Sequence, residues 1–204
     1  MLLHALDATT NGATELYIHS PDTNVLVLSL RCYPELCLKT SFVTGTGDIH
    51  RVIDLNPIAS ALSSAKLAAL SAFHTLSGAD ITGCFSGKGA LSCWKTFMDA
   101  EDVITALGNL GTILYPPDEI LALVEKFICQ LYQPGTGNSQ VKELRWHMFR
   151  KNQVESNRLP PTQGALYEAI PRTHYQMIVW NYDKMCRPSL PQPDGFGREK
   201  VEDK

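Results

Sequence analysis

Two short segments of this 204-residue chain concentrate side chains able to do chemistry. The first, His19-Ser20-Pro21-Asp22-Thr23-Asn24, sets acids and amides at the carboxyl end of a predicted strand, where α/β sheets hold ligand-binding groups. The second runs Leu76-Ser77-Gly78-Ala79-Asp80-Ile81-Thr82-Gly83 and on to Phe85-Ser86-Gly87-Lys88-Gly89. Here an aspartate stands just past a helix end, ahead of a glycine-rich turn that feeds another helix. Carboxylate and amide oxygens are the hard donors that a magnesium-type cation takes. Each feature also has a plainer reading. Asp22 can be a helix N-cap, Asp80 can cap the next turn, and glycines serve tight turns everywhere. His74 reads as a packed core histidine, and Trp94 and Trp146 as packing residues. The basic run Lys142, Arg145, His147, Arg150 and Lys151 reads as a solvated face, or as a contact to a phosphate backbone.

The elements that must position these groups follow from pattern. Residues 2–10 read as a helix closed by Asn11-Gly12, and Glu15 to His19 as a strand. The apolar run Asn24 to Leu30 could be strand or helix, and Asp22 or Thr23 as a cap favours a short helix. Strands are predicted over Leu36 to Val43 and Ile49 to Leu55, joined by a turn at Gly45-Thr46-Gly47-Asp48. Asn56-Pro57 reads as the start of a short helix, with Asn56 its cap. Further helices are expected over Ser64 to Leu76, Leu91 to Met98 and Asp99 to Leu107. The stripe Ile120, Leu121, Val124, Phe127, Ile128, Leu131 and Tyr132 makes the clearest helix, opened by Pro117-Asp118. Val141 to Arg150 is a basic helix, and a last one, capped by Thr162, should kink or split at Pro171.

Bulk properties narrow the function classes. With 44% hydrophobic and 19% charged residues the chain has the composition of a soluble globular protein. Its net charge of −3 argues against a protein that mainly coats nucleic acid, but not against a nuclease, whose metal site collects carboxylates. The six cysteines are dispersed without a CxxC pair, which points to reduced intracellular thiols. No signal peptide or membrane-length apolar run is read, so the expected location is intracellular, nuclear or cytoplasmic, with no membrane partner.

The order of strand, acidic turn, two strands, paired helices, SGAD and GKG resembles the later half of the PIN-like, flap-endonuclease-related nuclease fold. In that family a strand ends in a D-x-D pair, a later aspartate adds a metal ligand, and a GIG or GKG hairpin between helices grips the DNA backbone. The match is closer to an animal group of PIN-like proteins carrying PDTDVLVL, FHxLTGCDTT and GKGKxxxWK. The corresponding residues here are Pro21-Asp22-Thr23-Asn24-Val25-Leu26-Val27-Leu28, Phe73-His74-Thr75-Leu76-Ser77-Gly78-Ala79-Asp80, and Gly87-Lys88-Gly89 with Trp94-Lys95. Glu143-Leu144-Arg145, Leu159-Pro160-Pro161-Thr162 and Tyr175-Gln176 ahead of Trp180 fit the group's helical end, so the resemblance covers most of residues 1–187.

The resemblance implies divalent-metal-dependent phosphodiester hydrolysis of DNA or RNA with Mg2+ or Mn2+, ligands at Asp22, Asn24 and Asp80, and nucleic-acid contacts at Gly87, Lys88, Gly89 and Lys95. Backbone N–H groups at that helix start would hold a phosphate, with Lys88 adding charge. Two departures matter. Asn24 stands where the family has its second acid. The family's first aspartate-bearing strand and its acidic helix segment would lie before Met1, leaving too few carboxylates for a tight two-metal site. The expected fold is α/β: a partial PIN-like domain over 1–110 with a small sheet and a helix-hairpin-helix element, a helical appendage over 111–187, and a disordered tail over 188–204. Activity is expected to be weak or lost. The alternatives are a non-catalytic module that binds nucleic acid or protein, including a partner covering the incomplete sheet, and a gene fragment without retained activity.

Overall fold

The structure, a computed structural model, describes residues 1–46, 49–79, 85–152, 155 and 158–197. It is mixed α/β and mostly helical around one small sheet. Helix α1 (Leu2–Thr10) ends at Asn11, and strand β1 (Glu15–His19) follows. Asp22 then starts α2 (Thr23–Cys32), its side chain accepting the Asn24 N–H. A 3-10 turn at Tyr33–Glu35 leads into β2 (Lys39–Thr46) and β3 (Ile49–Asp54). β2 starts three residues later than its pattern suggests and runs three further. The sheet order is β1-β2-β3, with β1 parallel to β2 and β3 antiparallel to it. Leu16, Ile18, Phe42 and Ile53 turn to one face and join the core. The hairpin turn expected at residues 45–48 falls partly on Gly47 and Asp48, which lie outside the described residues.

Helix α3 (Leu55–Ser60) takes its cap from Asp54, not from Asn56: the Asp54 carboxylate accepts the Asn56 N–H at 3.0 Å. Two good capping residues two positions apart make such a shift invisible in a sequence. Ser63 caps α4 (Ser64–Gly78), which ends on Gly78 at φ +124°. Next come α5 (Ala90–Asp99) and α6 (Glu101–Gly108). Their corner is held by the buried Lys66, whose amine reaches the Met98 carbonyl at 2.8 Å and Glu101 at 2.5 Å. Helix α7 (Asp118–Tyr132) buries Val124, Phe127, Ile128 and Leu131, the stripe read from its spacing. Phe73, Phe97 and Phe127 meet where α4, α5 and α7 converge, the first two rings stacked at 4.4 Å. Trp94 packs on the same cluster, as expected.

The chain closes with α8 (Val141–Asn152) and α9 (Gln163–Asn181). Thr162 caps α9, accepting the Ala165 N–H. The helix continues through Pro171 without a break, contrary to the expected split. The carbonyl that loses its partner there belongs to Tyr167, an exposed residue that water can satisfy.

Packing does not part at residue 110. One core runs from Leu2 through Phe127 to Met177, and α9 lies on α4. Arg31 of α2 donates to the Trp180 carbonyl (2.7 Å), to Asn181 Oδ1 (2.8 Å) and to Asp183 (3.1 Å) at the end of α9. Asn181 donates to the Gly111 carbonyl at 2.8 Å, and the Gly111 N–H donates to Nδ1 of the buried His174 at 3.1 Å. Residues 188–197, expected to be disordered, instead fold back along α9. Phe196 is buried against Tyr175 and His174, the Tyr175 hydroxyl donates to the Pro191 carbonyl, and Arg172 donates to the Gly197 carbonyl. Residues 198–204 lie outside the described residues.

Candidate metal and nucleic-acid contacts

β1 delivers the chain to Ser20, whose hydroxyl accepts the Asp22 N–H at 3.1 Å. The turn so formed presents Asp22 at the start of α2, where one carboxylate oxygen receives the Asn24 N–H at 2.8 Å. The capping reading of Asp22 is therefore realised. Asp22 is exposed and the cap uses one of its two carboxylate oxygens, so capping and ligation do not exclude one another. Asn24 turns its Oδ1 to His74 Nε2 at 2.9 Å. His74 is half-buried on α4, one helical turn before Gly78. This contact draws the carboxyl end of α4 against the amino end of α2. Sequence reading assigned His74 to the core and missed it as a neighbour of Asn24. Its spacing among small apolar residues of α4 gave no signal of a polar partner fifty residues away.

Asp80 follows Ala79 in sequence and lies outside the described residues. Among the described residues no three His, Cys, Asp or Glu side chains gather closely enough to hold a metal ion. The described donors toward Mg2+ or Mn2+ are one carboxylate with an oxygen committed to a cap, and one amide oxygen that meets an imidazole. A hard divalent ion takes about six oxygens, several of them charged. Asp22 and Asn24 do not meet that demand by themselves.

The second group lies where α5 meets α7. Gly87 has φ +70°, with open space around the position a Cβ would occupy, and Gly89 is the N-cap of α5 without a side-chain cap. Both glycines are exposed, so the first N–H groups of α5 are reachable. Lys88 turns the other way. Its ammonium donates to the Tyr132 carbonyl at 3.1 Å and lies 5.1 Å from the centre of the Tyr132 ring. A cation at the carboxyl end of a helix is favourably placed. Burial holds its pKa below the usual lysine value, with the charge of Cys93 acting in the opposite sense. Lys95 is exposed on α5. In this arrangement the backbone and Lys95 are turned toward solvent, and Lys88 is committed to α7.

Trp146, expected to pack, is 61% exposed on α8, and Phe149 beside it is 55% exposed. The basic run on the same helix is also mostly exposed. Among the described residues no helix is long and apolar enough to cross a membrane. No protein-family model, no curated protein and no solved structure matches the chain.

Proposed function

We propose that this chain is a divergent PIN-like, flap-endonuclease-related protein that contacts DNA or RNA and hydrolyses it weakly or not at all. The observation that carries the reading is the His74 Nε2 to Asn24 Oδ1 contact of 2.9 Å. It joins the start of α2 to the end of α4, the two segments on which the resemblance puts metal ligands. The parallel pairing of β1 with β2, with Asp22 just past the end of β1, supports an acidic site at the carboxyl rim of a sheet.

The ancestral reaction would be phosphodiester hydrolysis assisted by Mg2+ or Mn2+. The described donors do not suffice for such an ion, so no hydrolytic step is assigned to them. Contact with nucleic acid then falls to the start of α5, where the Gly87 to Gly89 backbone meets phosphate, and Lys95 in the second turn adds charge. Among the described residues β1 is one of the two edge strands of the sheet, with Tyr17 55% exposed, which favours a second reading: a module whose partner protein adds to that edge.

The test is a pair of assays on the full chain. Cleavage of flap and single-stranded substrates with Mg2+ or Mn2+, lost on Asp80→Ala, would make the chain an active enzyme and overturn the weak-or-absent part of the proposal. Salt-sensitive binding that falls with Lys95→Ala and ignores Asp80→Ala is the expected result. Neither binding nor cleavage, with no cooperative unfolding, would leave only a fragment without activity.

A further inference from the structure

Helix α8 buries Val141 and Leu144 and packs Met148 against the core. At 100° per residue its opposite side carries Lys142, Glu143, Trp146, Phe149 and Arg150. The two largest aromatic side chains of the helix are thus more than half exposed. Their rings lie 6.4 Å apart and 24° from parallel. The Arg150 guanidinium sits 6.0 Å from the Trp146 ring centre, over one face. Beneath the rings an apolar recess of about 480 Å³ is lined by Lys142, Arg145, Phe149, Leu159 and Thr162 among others. Arg145 donates to the Pro160 carbonyl, which fixes the wall of that recess. The helix bears four basic side chains against one acid, in a chain whose net charge is −3.

From this geometry we propose that the outer face of α8 is a binding site for single-stranded nucleic acid. Two near-parallel exposed rings offer π-surfaces to successive bases, and the flanking Lys142 and Arg150 meet the phosphates between them. The cation–π contact holds Arg150 over one face of the Trp146 ring, so its charge already stands close to a base stacked on the other. Other occupants fit less well. A membrane surface rewards a broad apolar helix face, and this one shows two apolar side chains among cations. A second copy of the chain would bring like charges together. An acidic peptide answers the charge but leaves the paired rings without a planar partner. This inference rests on α8 and the residues 159–162 beside it, and does not depend on the acidic segments at Asp22 and Asp80.

The experiment titrates the full chain into a labelled oligothymidylate of about 20 nucleotides, long enough for the usual site sizes. Polyglutamate and phosphatidylserine vesicles serve as competing probes. Trp146→Ala with Phe149→Ala, both at exposed positions, should leave the thermal midpoint nearly unchanged and weaken oligonucleotide binding roughly thirtyfold or more. Lys142→Ala with Arg150→Ala should reduce the slope of log K against log salt by about 1.4. Binding should also quench tryptophan emission in the wild type, and the quenching should vanish in Trp146→Phe. Undiminished binding by the Trp146/Phe149 variant overturns the proposal. If that same binding falls with Lys95→Ala, the α5 hairpin is the nucleic-acid contact and the earlier reading stands without this one. Preference for vesicles or polyglutamate, or no binding to the oligonucleotide, equally overturns it.

Discussion

Replacing Gly111 by alanine tests whether the loop between α6 and α7 is seated on α9 as described. Gly111 has φ +78°, a conformation that costs a residue with a Cβ about 1–2 kcal/mol. The added methyl would also lie 2.5 Å from the Ile178 nitrogen and 2.5 Å from the Met177 Cβ, and against the Met177 carbonyl carbon. Those are mostly backbone atoms in the middle of a helix, which cannot swing aside. Forcing a methylene into a filled space costs a further ~1–3 kcal/mol. The total of about 2–5 kcal/mol should lower the thermal midpoint of a chain this long by roughly 5–20 °C. Gly12→Ala is the control. Gly12 has φ +90° with nothing within 4 Å, so it carries the conformational cost alone. Thermal or denaturant unfolding of both variants isolates the contact. If Gly111→Ala is no worse than Gly12→Ala, the loop does not rest on α9, and the Asn181 and His174 bonds to Gly111 fall with it.

Three further outcomes are expected. Arg31→Met should cost about 3–5 kcal/mol by denaturant titration, because it strands Asp183 in a largely buried site. Burial already raises the Asp183 carboxyl, opposed chiefly by the Arg31 charge, so part of that loss should return as mild acid protonates it. His174 is pulled below the usual histidine value by burial, opposed by its bonds to the Leu114 and Ile113 carbonyls. The unfolded chain therefore binds the extra proton first. Stability should be level above about pH 6.5 and fall as pH drops toward the folded value, and His174→Asn should flatten that fall. Asp22→Ala should cost ~1 kcal/mol through the lost cap, whereas Asp22→Ser should cost only a few tenths.

Where local chemistry decides, the fold was legible. The Asp22 cap turned an ambiguous apolar run into α2, and β1 keeps its predicted ends. The stripe on α7 named its own buried face. What escaped was set by distant partners. A proline- and glycine-rich composition says disorder, yet one phenylalanine, Phe196, finds an aromatic seat against Tyr175 and His174 and pins the segment. The outward pair Trp146 and Phe149 was lost among Leu144 and Met148, since apolar residues fall on several sides of α8. At the candidate site, sequence supplied Asp22 and Asn24 but not His74, whose role depends on how two helices cross. Lys88 was read as facing a phosphate, and the carboxyl end of α7 competes for it.

The most direct measurement of the site itself is nuclear magnetic resonance of the labelled chain with substoichiometric Mn2+. If the two acidic segments share a rim, the amides of residues 22–24 and 79–80 should broaden together, and Asp22→Ser, which keeps the cap, should abolish both effects. Broadening at one segment without the other, or broadening that survives Asp22→Ser, would contradict the proposed shared site and remove the proposed nuclease kinship with it.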